Sequence, residues 1–431
     1  MSCGLMLAQE IVHDLTETVH RQAMPLLVGV MSDTDKKLEQ VAQILAKNLE
    51  RSGQFIITVK NFKVPAKQSE LGHLFDKNFP LTIFLEHADG DTAIAWRLYD
   101  VPDQRLVKGR KYVKRGTNLH GFADNITDEL WPVLTSQASS FSSKLAYVKK
   151  KKMVDKKRKD RSVVCIANSD GSDEQILIPQ LGTYVALYWH HDKYNPCLFC
   201  SEFTRYNVRL ISANLQGKKQ TVLNLKGTCV GISLAPESDK VVYCRSGTIW
   251  QYSYDKKNQL GTHTPLIANE GKNCSPTLLA NGDIIFCSDS SKVRKGAKTW
   301  GPKICYYKAH DGSVAVLTDS GYCVSPNYCA QSNKVAYSKK VEGVMQLCVY
   351  DMTRKKETQL TFDSGNKIDC CWSPCGNFIV YCYQKGPLSR IAVIHVAMKK
   401  VTFITPAHES CSCPAWSPVF DKVPVMQVRN G

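Results

Sequence analysis

One pentapeptide recurs six times along the chain: KLAYV (144–148), PCLFC (196–200), KVVYC (240–244), DIIFC (283–287), KVAYS (334–338) and FIVYC (378–382). Its fourth residue is always aromatic (Tyr147, Phe199, Tyr243, Phe286, Tyr337, Tyr381), and its fifth is Val148, Cys200, Cys244, Cys287, Ser338 or Cys382. Successive copies lie 52, 44, 43, 51 and 44 residues apart, near the ~40–45 of a four-stranded propeller blade, a unit that cannot bury its faces alone and must stack with its neighbours. Each pentapeptide is followed by a second strand, as in MQLCVYDM (345–352) or RIAVIHV (390–396), then by a turn and a third strand, as in TRKKETQLT (353–361). A fourth segment carries Ser-Pro: Ser275-Pro276, Ser325-Pro326, Ser373-Pro374 and Ser417-Pro418, with Ala235-Pro236 as a variant. Proline is expected there at a strand end, where no ladder donor is needed. The first unit lacks such a segment, and CPAWSPVF (413–420) has no complete unit after it. Pairing the two completes a sixth blade and removes the exposed edges of an open ring. The fourth-position aromatics are expected to fill the wedges between blades.

The first part of the chain reads differently. MPLLVGVM (24–31) is a buried strand, and a helix follows with Leu38, Val41, Ala42, Leu45 and Leu49 on one face, Ser32 as its expected cap, and Gly53 at its end. FIITVKNF (55–62) is a second strand. LTIFLEH (81–87), the Asp89-Gly90 turn and TAIAWRLYDV (92–101) form a hairpin, to which RLVKGRKYV (105–113) adds a strand. A last helix, with Thr117 as expected cap, presents Phe122, Ile126, Leu130 and Leu134, and a Ser-rich linker (136–143) follows. With 431 residues, two domains are the default. The fold class is therefore multidomain, an α/β domain followed by an all-β six-bladed propeller closed by the C-terminal strand. The expected divisions are a flexible segment 1–22, an α/β domain 23–140, a propeller 141–420 and a tail 421–431.

Composition narrows the function classes. The longest apolar stretch, Ala23 to Met31, falls far short of the ~18 residues needed to cross a bilayer, so association with membranes would be peripheral. The start, MSCGLMLAQE, has no basic n-region and too short an apolar run to read as a complete secretory signal. Of the net charge of +17, +7 lies in KKKKMVDKKRKDR (149–161), which includes Lys149, Lys150, Lys151, Lys152, Lys156, Lys157, Arg158 and Lys159. It sits between two strands of the first blade, so it forms a protruding basic hairpin. It is either a solvated loop or a contact for an anionic lipid, glycan or nucleic acid. No aromatics interleave with it as a nucleic-acid platform requires, so no nucleic-acid partner is expected. Of the 18 cysteines, only Cys3 precedes Cys165. Cys197 and Cys200 would point to opposite faces of a strand, and Cys411, Cys413 and His408 supply only three ligands, so no metal site and no cofactor is expected. Equivalent blade positions lie too far apart for disulfides, so Cys200, Cys244, Cys287 and Cys382 are expected as free thiols.

These residues resemble the TolB family, the soluble periplasmic components of the Tol-Pal system. The resemblance covers roughly residues 8–420 and rests on NLERSGQF (48–55), IAWRLYDV (94–101), NLHGFADNITDELWPVLT (118–135) followed by SKLAYV (143–148), KVAYS…LCVYDMTRKKETQLT (334–361) and WSPCGNFIVY (372–381). It implies a monomeric, non-enzymatic periplasmic protein. Such a protein binds the peptidoglycan-associated lipoprotein Pal on one propeller face, binds inner-membrane-anchored TolA through its N-terminal segment, and supports outer-membrane integrity and constriction at division. The matching switch segment begins with Glu10, Ile11, Val12, His13, Asp14 and Leu15, and its weak helix signal suits docking as an edge strand. Candidate Pal contacts are the loops that lead into the Ser-Pro strands: Thr228, Lys272, Asn273, Tyr322, Asn366, Lys367, His408 and Glu409.

Two rival readings compete with this one. A propeller-associated peptidase needs an α/β-hydrolase domain with a G-x-S-x-G turn, which this sequence lacks, so no catalytic residue is expected and His190-His191 reads as loop. The other rival is a diverged propeller scaffold that binds another acidic partner through the basic hairpin, a mode that salt would weaken steeply.

Overall fold

The computed structural model describes residues 22–32, 35–63, 72–88, 93–113, 118–151, 161–190, 196–226, 229–234, 240–255, 260–268, 271–290 and 301–420. They fall into two compact units, separated between Ser142 and Ser143, the second running to Phe420.

The first unit is built on β1 (Met24–Val30), whose Leu26, Leu27 and Val28 are fully buried. β1 pairs in parallel with β2 (Phe55–Asn61) and with β3 (Leu81–Ala88); β4 (Ala93–Asp100) and β5 (Arg105–Val113) continue antiparallel, in the order β2-β1-β3-β4-β5. Parallel neighbours need a crossover, and α1 (Lys36–Glu50) supplies it, burying Leu38, Val41, Ala42, Leu45 and Leu49. Its cap is Asp35 rather than Ser32: Asp35 Oδ1 accepts from Lys37 N at 2.8 Å and Leu38 N at 3.2 Å. Ser32 acts one step earlier, its Oγ accepting from Asp35 N at 3.1 Å. α2 (Leu119–Thr135) is capped by Asn118, whose Oδ1 accepts from Gly121 N at 2.9 Å; Thr117 and the Asp89-Gly90 turn lie outside the described residues. The helices share a buried polar contact, Asn48 Nδ2 donating to Asp124 Oδ1 at 2.8 Å and to Thr127 Oγ1 at 3.3 Å. The Ser-rich stretch after α2 is held by Asp128, whose carboxylate accepts from Phe141 N at 2.7 Å, Ser142 N at 3.0 Å and Ser142 Oγ at 2.5 Å.

The second unit is all-β. Its first sheet holds β6 (Lys144–Lys151), β7 (Arg161–Asn168) and the front half of β8 (Gln175–Trp189); the back half of β8 opens the second sheet with β9 (Cys197–Phe203), β10 (Asn207–Asn214) and β11 (Lys219–Lys226). Four further antiparallel sheets follow. The third is β12 (Cys229–Leu234), β13 (Lys240–Arg245), β14 (Thr248–Asp255) and β15 (Leu260–Ile267), and the fourth is β16 (Asn273–Leu278), β17 (Ile284–Ser288), β18 (Lys303–Tyr307) and β19 (Val314–Val316). The fifth is β20 (Tyr322–Cys329), β21 (Lys334–Val341), β22 (Val344–Asp351) and β23 (Lys356–Gln359), and the sixth is β24 (Asn366–Trp372), β25 (Phe378–Lys385), β26 (Leu388–His395) and β27 (Val401–Phe403). The last strand, β28 (Cys411–Trp416), returns to pair with β6. Three hydrogen bonds fasten that closure: Lys144 N to Ser417 Oγ at 2.7 Å, Ser417 N to Lys144 O at 2.8 Å and Trp416 Nε1 to Ser143 Oγ at 2.7 Å. The first strands of successive sheets contact one another in a closed cycle, β28, β8, β12, β16, β20, β24 and back to β28.

Every first strand carries the same irregularity. A left-handed residue sits at a break in the ladder: Ala186, Gly231, Ser275, Ser325, Asp369 and Cys413, with φ of 52, 84, 50, 54, 53 and 50°. These are β-bulges, which bend a strand and sharpen its twist where strands converge. They also revise the expected role of proline. Pro276, Pro326 and Pro414 each follow a bulge residue inside the strand, where the interrupted ladder leaves no use for an N–H, whereas Ser373-Pro374 and Ser417-Pro418 follow their strands. Ala235-Pro236 lies outside the described residues.

Strand alternation gives the pentapeptide its two faces. Tyr243 packs with Leu210 and Leu223 of the preceding sheet, Phe286 with Val242 and Ile249, Tyr337 with Ile285 and Ile304, and Tyr381 with Ala336 and Leu347. The fifth residue faces the following sheet. Cys244, Cys287 and Cys382 point their thiols at the carbonyls of Asn273, Cys323 and Cys411, at 2.8, 3.3 and 3.6 Å. The second sheet is the exception and corrects the expected alignment. Ser201 there opposes Val185, the residue before the bulge, just as Ser338 opposes Val324. Cys200 therefore occupies the aromatic position, packing with Ala146 and Val164, and Phe199 faces the other way; Tyr184 fills the wedge instead.

Candidate functional site

The first strands all start at one edge of the ring, so the loops leading into them share a face. Antiparallel register brings the turns between second and third strands to the same edge: Tyr322 lies opposite Lys340, Asn366 opposite Gln384, and Cys411 opposite Lys149. The connection from Lys151 to Arg161, the basic segment, thus leaves from this face too.

These loops are pinned by a device repeated in the last three sheets. Thr318, Thr361 and Thr405 each accept through Oγ1 from a third-strand amide (Ile304 at 3.0 Å, Leu347 at 2.9 Å, Ile391 at 3.0 Å). The residue before each amide reaches the loop backbone: Lys303 Nζ donates to Gly321 O at 2.7 Å, Gln346 Nε2 to Asp363 O at 2.9 Å, and Arg390 Nη2 to Thr405 O at 2.8 Å. Loops held this way lose little conformational freedom on binding, which favours affinity.

Among the candidate contacts, Lys272 is exposed, its amide donating to Asp289 Oδ1 at 2.6 Å. Tyr322 is 45% exposed, and His408 is also exposed. Asn366 is half-buried, its Oδ1 accepting from Met345 N at 3.0 Å. Two candidates are corrected as partner contacts because their side chains are fully buried. Asn273 Nδ2 donates to Gly247 O at 2.9 Å, clamping the neighbouring turn. The Lys367 ammonium donates to Asp363 O at 2.5 Å, pairs with Asp363 Oδ1 at 3.0 Å and lies 5.7 Å from the centre of the Tyr383 ring. Thr228, Lys152, Lys156, Lys157, Arg158, Lys159 and the segment Glu10 to Leu15 lie outside the described residues.

Lys149 differs from its neighbours in the basic run. Its Nζ bridges Glu174 Oε1 and Glu409 Oε1, both at 2.7 Å, tying the hairpin to the loop before β28. Burial works against its charge, but the hydrogen bonds to both carboxylates outweigh it and raise the pKa. Burial likewise opposes ionisation of Glu174, and the bonds from Lys149 and Tyr147 reverse that, holding it below the usual range. Asp369, at the bulge of β24, has its pKa raised by burial. Sequence reasoning missed Phe362, which is 67% exposed on the loop before β24, with Lys399 Nζ 5.1 Å from its ring centre. The signal was an aromatic followed by Asp-Ser-Gly at a loop position.

The TolB beta propeller domain family matches residues 131–422. The chain belongs to the TolB family. Its backbone is similar to a crystal structure of TolB from Acinetobacter baumannii, with a TM-score of 0.75 and 19% identity over 92% of this chain and 97% of that one. A Tol-Pal system protein TolB from Albidiferax ferrireducens is 24% identical over 233 residues, 53% of this chain. The match spans about half, 52%, of that relative's length. Hydrazine synthase of Kuenenia stuttgartiensis shares the fold over 68% of this chain and 48% of its own, with a TM-score of 0.50 and 11% identity.

Proposed function

We propose that this TolB-family chain works in the periplasm as a binding component of a Tol-Pal system. It engages a Pal-like lipoprotein on the loop face of the propeller and a TolA-like inner-membrane protein through residues 10–21, supporting outer-membrane integrity and constriction at division. It does so by binding rather than catalysis. The observation that supports this reading is the loop face, pinned ahead of β20, β24 and β28, on which Tyr322, Phe362 and His408 stay exposed. Recognition by a rigid loop face with exposed aromatics is how protein partners are commonly held.

The departure of the basic hairpin from this same face favours one second reading, an acidic partner held by lysines. Calorimetry with the Pal-like lipoprotein of the same organism, with and without residues 1–21 and at two salt concentrations, separates the two. The Tol-Pal reading expects saturable, weakly salt-dependent binding that tightens when the segment is removed. Binding that collapses with salt supports the lysine-driven alternative. No binding at either salt sinks the Tol-Pal reading.

A further inference from the structure

We propose that Cys274 and Cys287 form a thiol pair that closes to a cross-strand disulfide, making the start of β16 a redox modification site on the rim of the propeller. The two residues are direct partners across the antiparallel β16–β17 ladder. Directly opposed antiparallel residues have Cα atoms ~4.5–5.5 Å apart, inside the ~4.4–6.8 Å that disulfides span. Equivalent positions elsewhere face no cysteine across the same ladder: Cys382 opposes Ile368, Ser338 opposes Val324 and Val148 opposes Ser412.

The two sulfurs are unequal in a way that suits stepwise exchange. Cys274 is half-buried and Cys287 is buried, its Sγ 3.3 Å from the carbonyl of Cys323. The neighbouring Cys287 and Ser275 lower the Cys274 thiol below its ordinary range, against burial and the charge of Asp289. The neighbouring Cys274 and burial push Cys287 upward. Cys274 is thus the thiolate that attacks and Cys287 the resolving thiol.

With a small disulfide as oxidant, the Cys274 thiolate attacks one of its sulfurs; a mixed disulfide forms and the oxidant's S–S bond breaks, releasing one thiolate. Cys287 gives its proton to water and its sulfur attacks Sγ of Cys274, expelling the second thiolate. Both thiolates take up protons. The two cysteines lose two electrons and one oxidant molecule is reduced to two thiols. The product pins the start of β16, next to Lys272 and Asn273, to β17.

The test is thiol mapping of the native, full-length protein equilibrated with oxidised glutathione, acid-quenched, alkylated and digested without reductant. The expected result is a linked Cys274–Cys287 peptide that dithiothreitol separates. In C287S the resolving step is blocked, and glutathione should accumulate on Cys274 at roughly tenfold the level on half-buried Cys197 or Cys371, reflecting its thiolate character. Cys274 remaining alkylatable in the oxidised wild-type protein overturns the proposal, and so does even glutathionylation of the three cysteines in C287S. If C287S does not fold, the wild-type map decides alone.

Discussion

Replacing Lys367 with methionine separates what burial decides from what the sequence suggests. The lysine begins a first strand at the loop face and looks like a partner contact, yet its side chain is fully buried. Its ammonium holds the carbonyls of Asp363 at 2.5 Å and Ser364 at 3.4 Å. Methionine keeps most of the stem packing and removes only the charged donor. A hydrogen bond to a charged group contributes about 1.5–3 kcal/mol. The freed acceptors recover part of that, because the Asp363 side chain is 64% exposed and water can reach the loop. The net expectation is a destabilisation of about 2 kcal/mol, which for a unit of this size lowers the unfolding midpoint by roughly 4–8 °C. Thermal unfolding followed by circular dichroism measures it, and calorimetry with the Pal-like partner runs alongside, with His408→Ala as the comparison. K367M should unfold earlier and bind with nearly unchanged affinity at low temperature, while H408A should do the reverse. A K367M protein of unchanged stability that fails to bind would refute the reasoning, because the ammonium would then have to reach the partner.

Two further outcomes follow from particular side chains. Burial lowers His395 from an ordinary 6.5 to about 4, so it is neutral in the fold and takes up a proton on unfolding. Its contribution is complete above pH 6.5 and is lost as pH falls toward 4, by about 3 kcal/mol across that window. Urea unfolding at pH 7 and pH 5 should show the loss, and His395→Asn, which can still accept the amide of Met398, should flatten the slope; an equal slope in the variant contradicts the assignment. At the bulge of β20, Ser325 has φ of 54°. Ser325→Gly should be neutral or stabilising by up to about 1 kcal/mol, and Ser325→Val should cost about 1–2 kcal/mol, because a β-branched side chain is worst tolerated there. Chemical denaturation of both variants reads the order, and a valine variant as stable as the glycine one would contradict the left-handed backbone assigned to the bulge.

The propeller and its closure were legible because they depend on period. Alternation puts Tyr243, Phe286, Tyr337 and Tyr381 on one face of their strands, and the unpaired ends of the repeat point to each other, as the pairing of β28 with β6 shows. The first unit was legible for a similar reason, since a buried run, an amphipathic helix and a hairpin each carry a local signature. The second sheet shows where pattern stops. PCLFC holds an aromatic one place early, and nothing local distinguishes Phe199 from Cys200 as the inward residue. A one-residue slip turns every side chain to the other face. The bulge at Ala186 and the pairing of Val185 with Ser201 decide it.

The site was less legible still. Loops that lead into the first strands could be named, but not which of their residues face water. Lys272 and Lys367 are both lysines at the mouth of a first strand; one is exposed and the other is enclosed by the carbonyls of its own loop. Lys149 and Lys150 are neighbours in one charge run, and Lys149 is bridged by Glu174 and Glu409, which lie 25 and 260 residues further along the chain by their numbering. The sequence by itself determined the repeat, the alternation of faces, the α/β unit before the ring and the direction in which the ring closes. Tertiary structure alone decided the register of the second sheet, the two different uses of proline, and which polar side chains at the mouth are held and which are free. Period and propensity are properties of a few consecutive residues, whereas desolvation and pairing depend on neighbours that arrive only when distant strands are brought together.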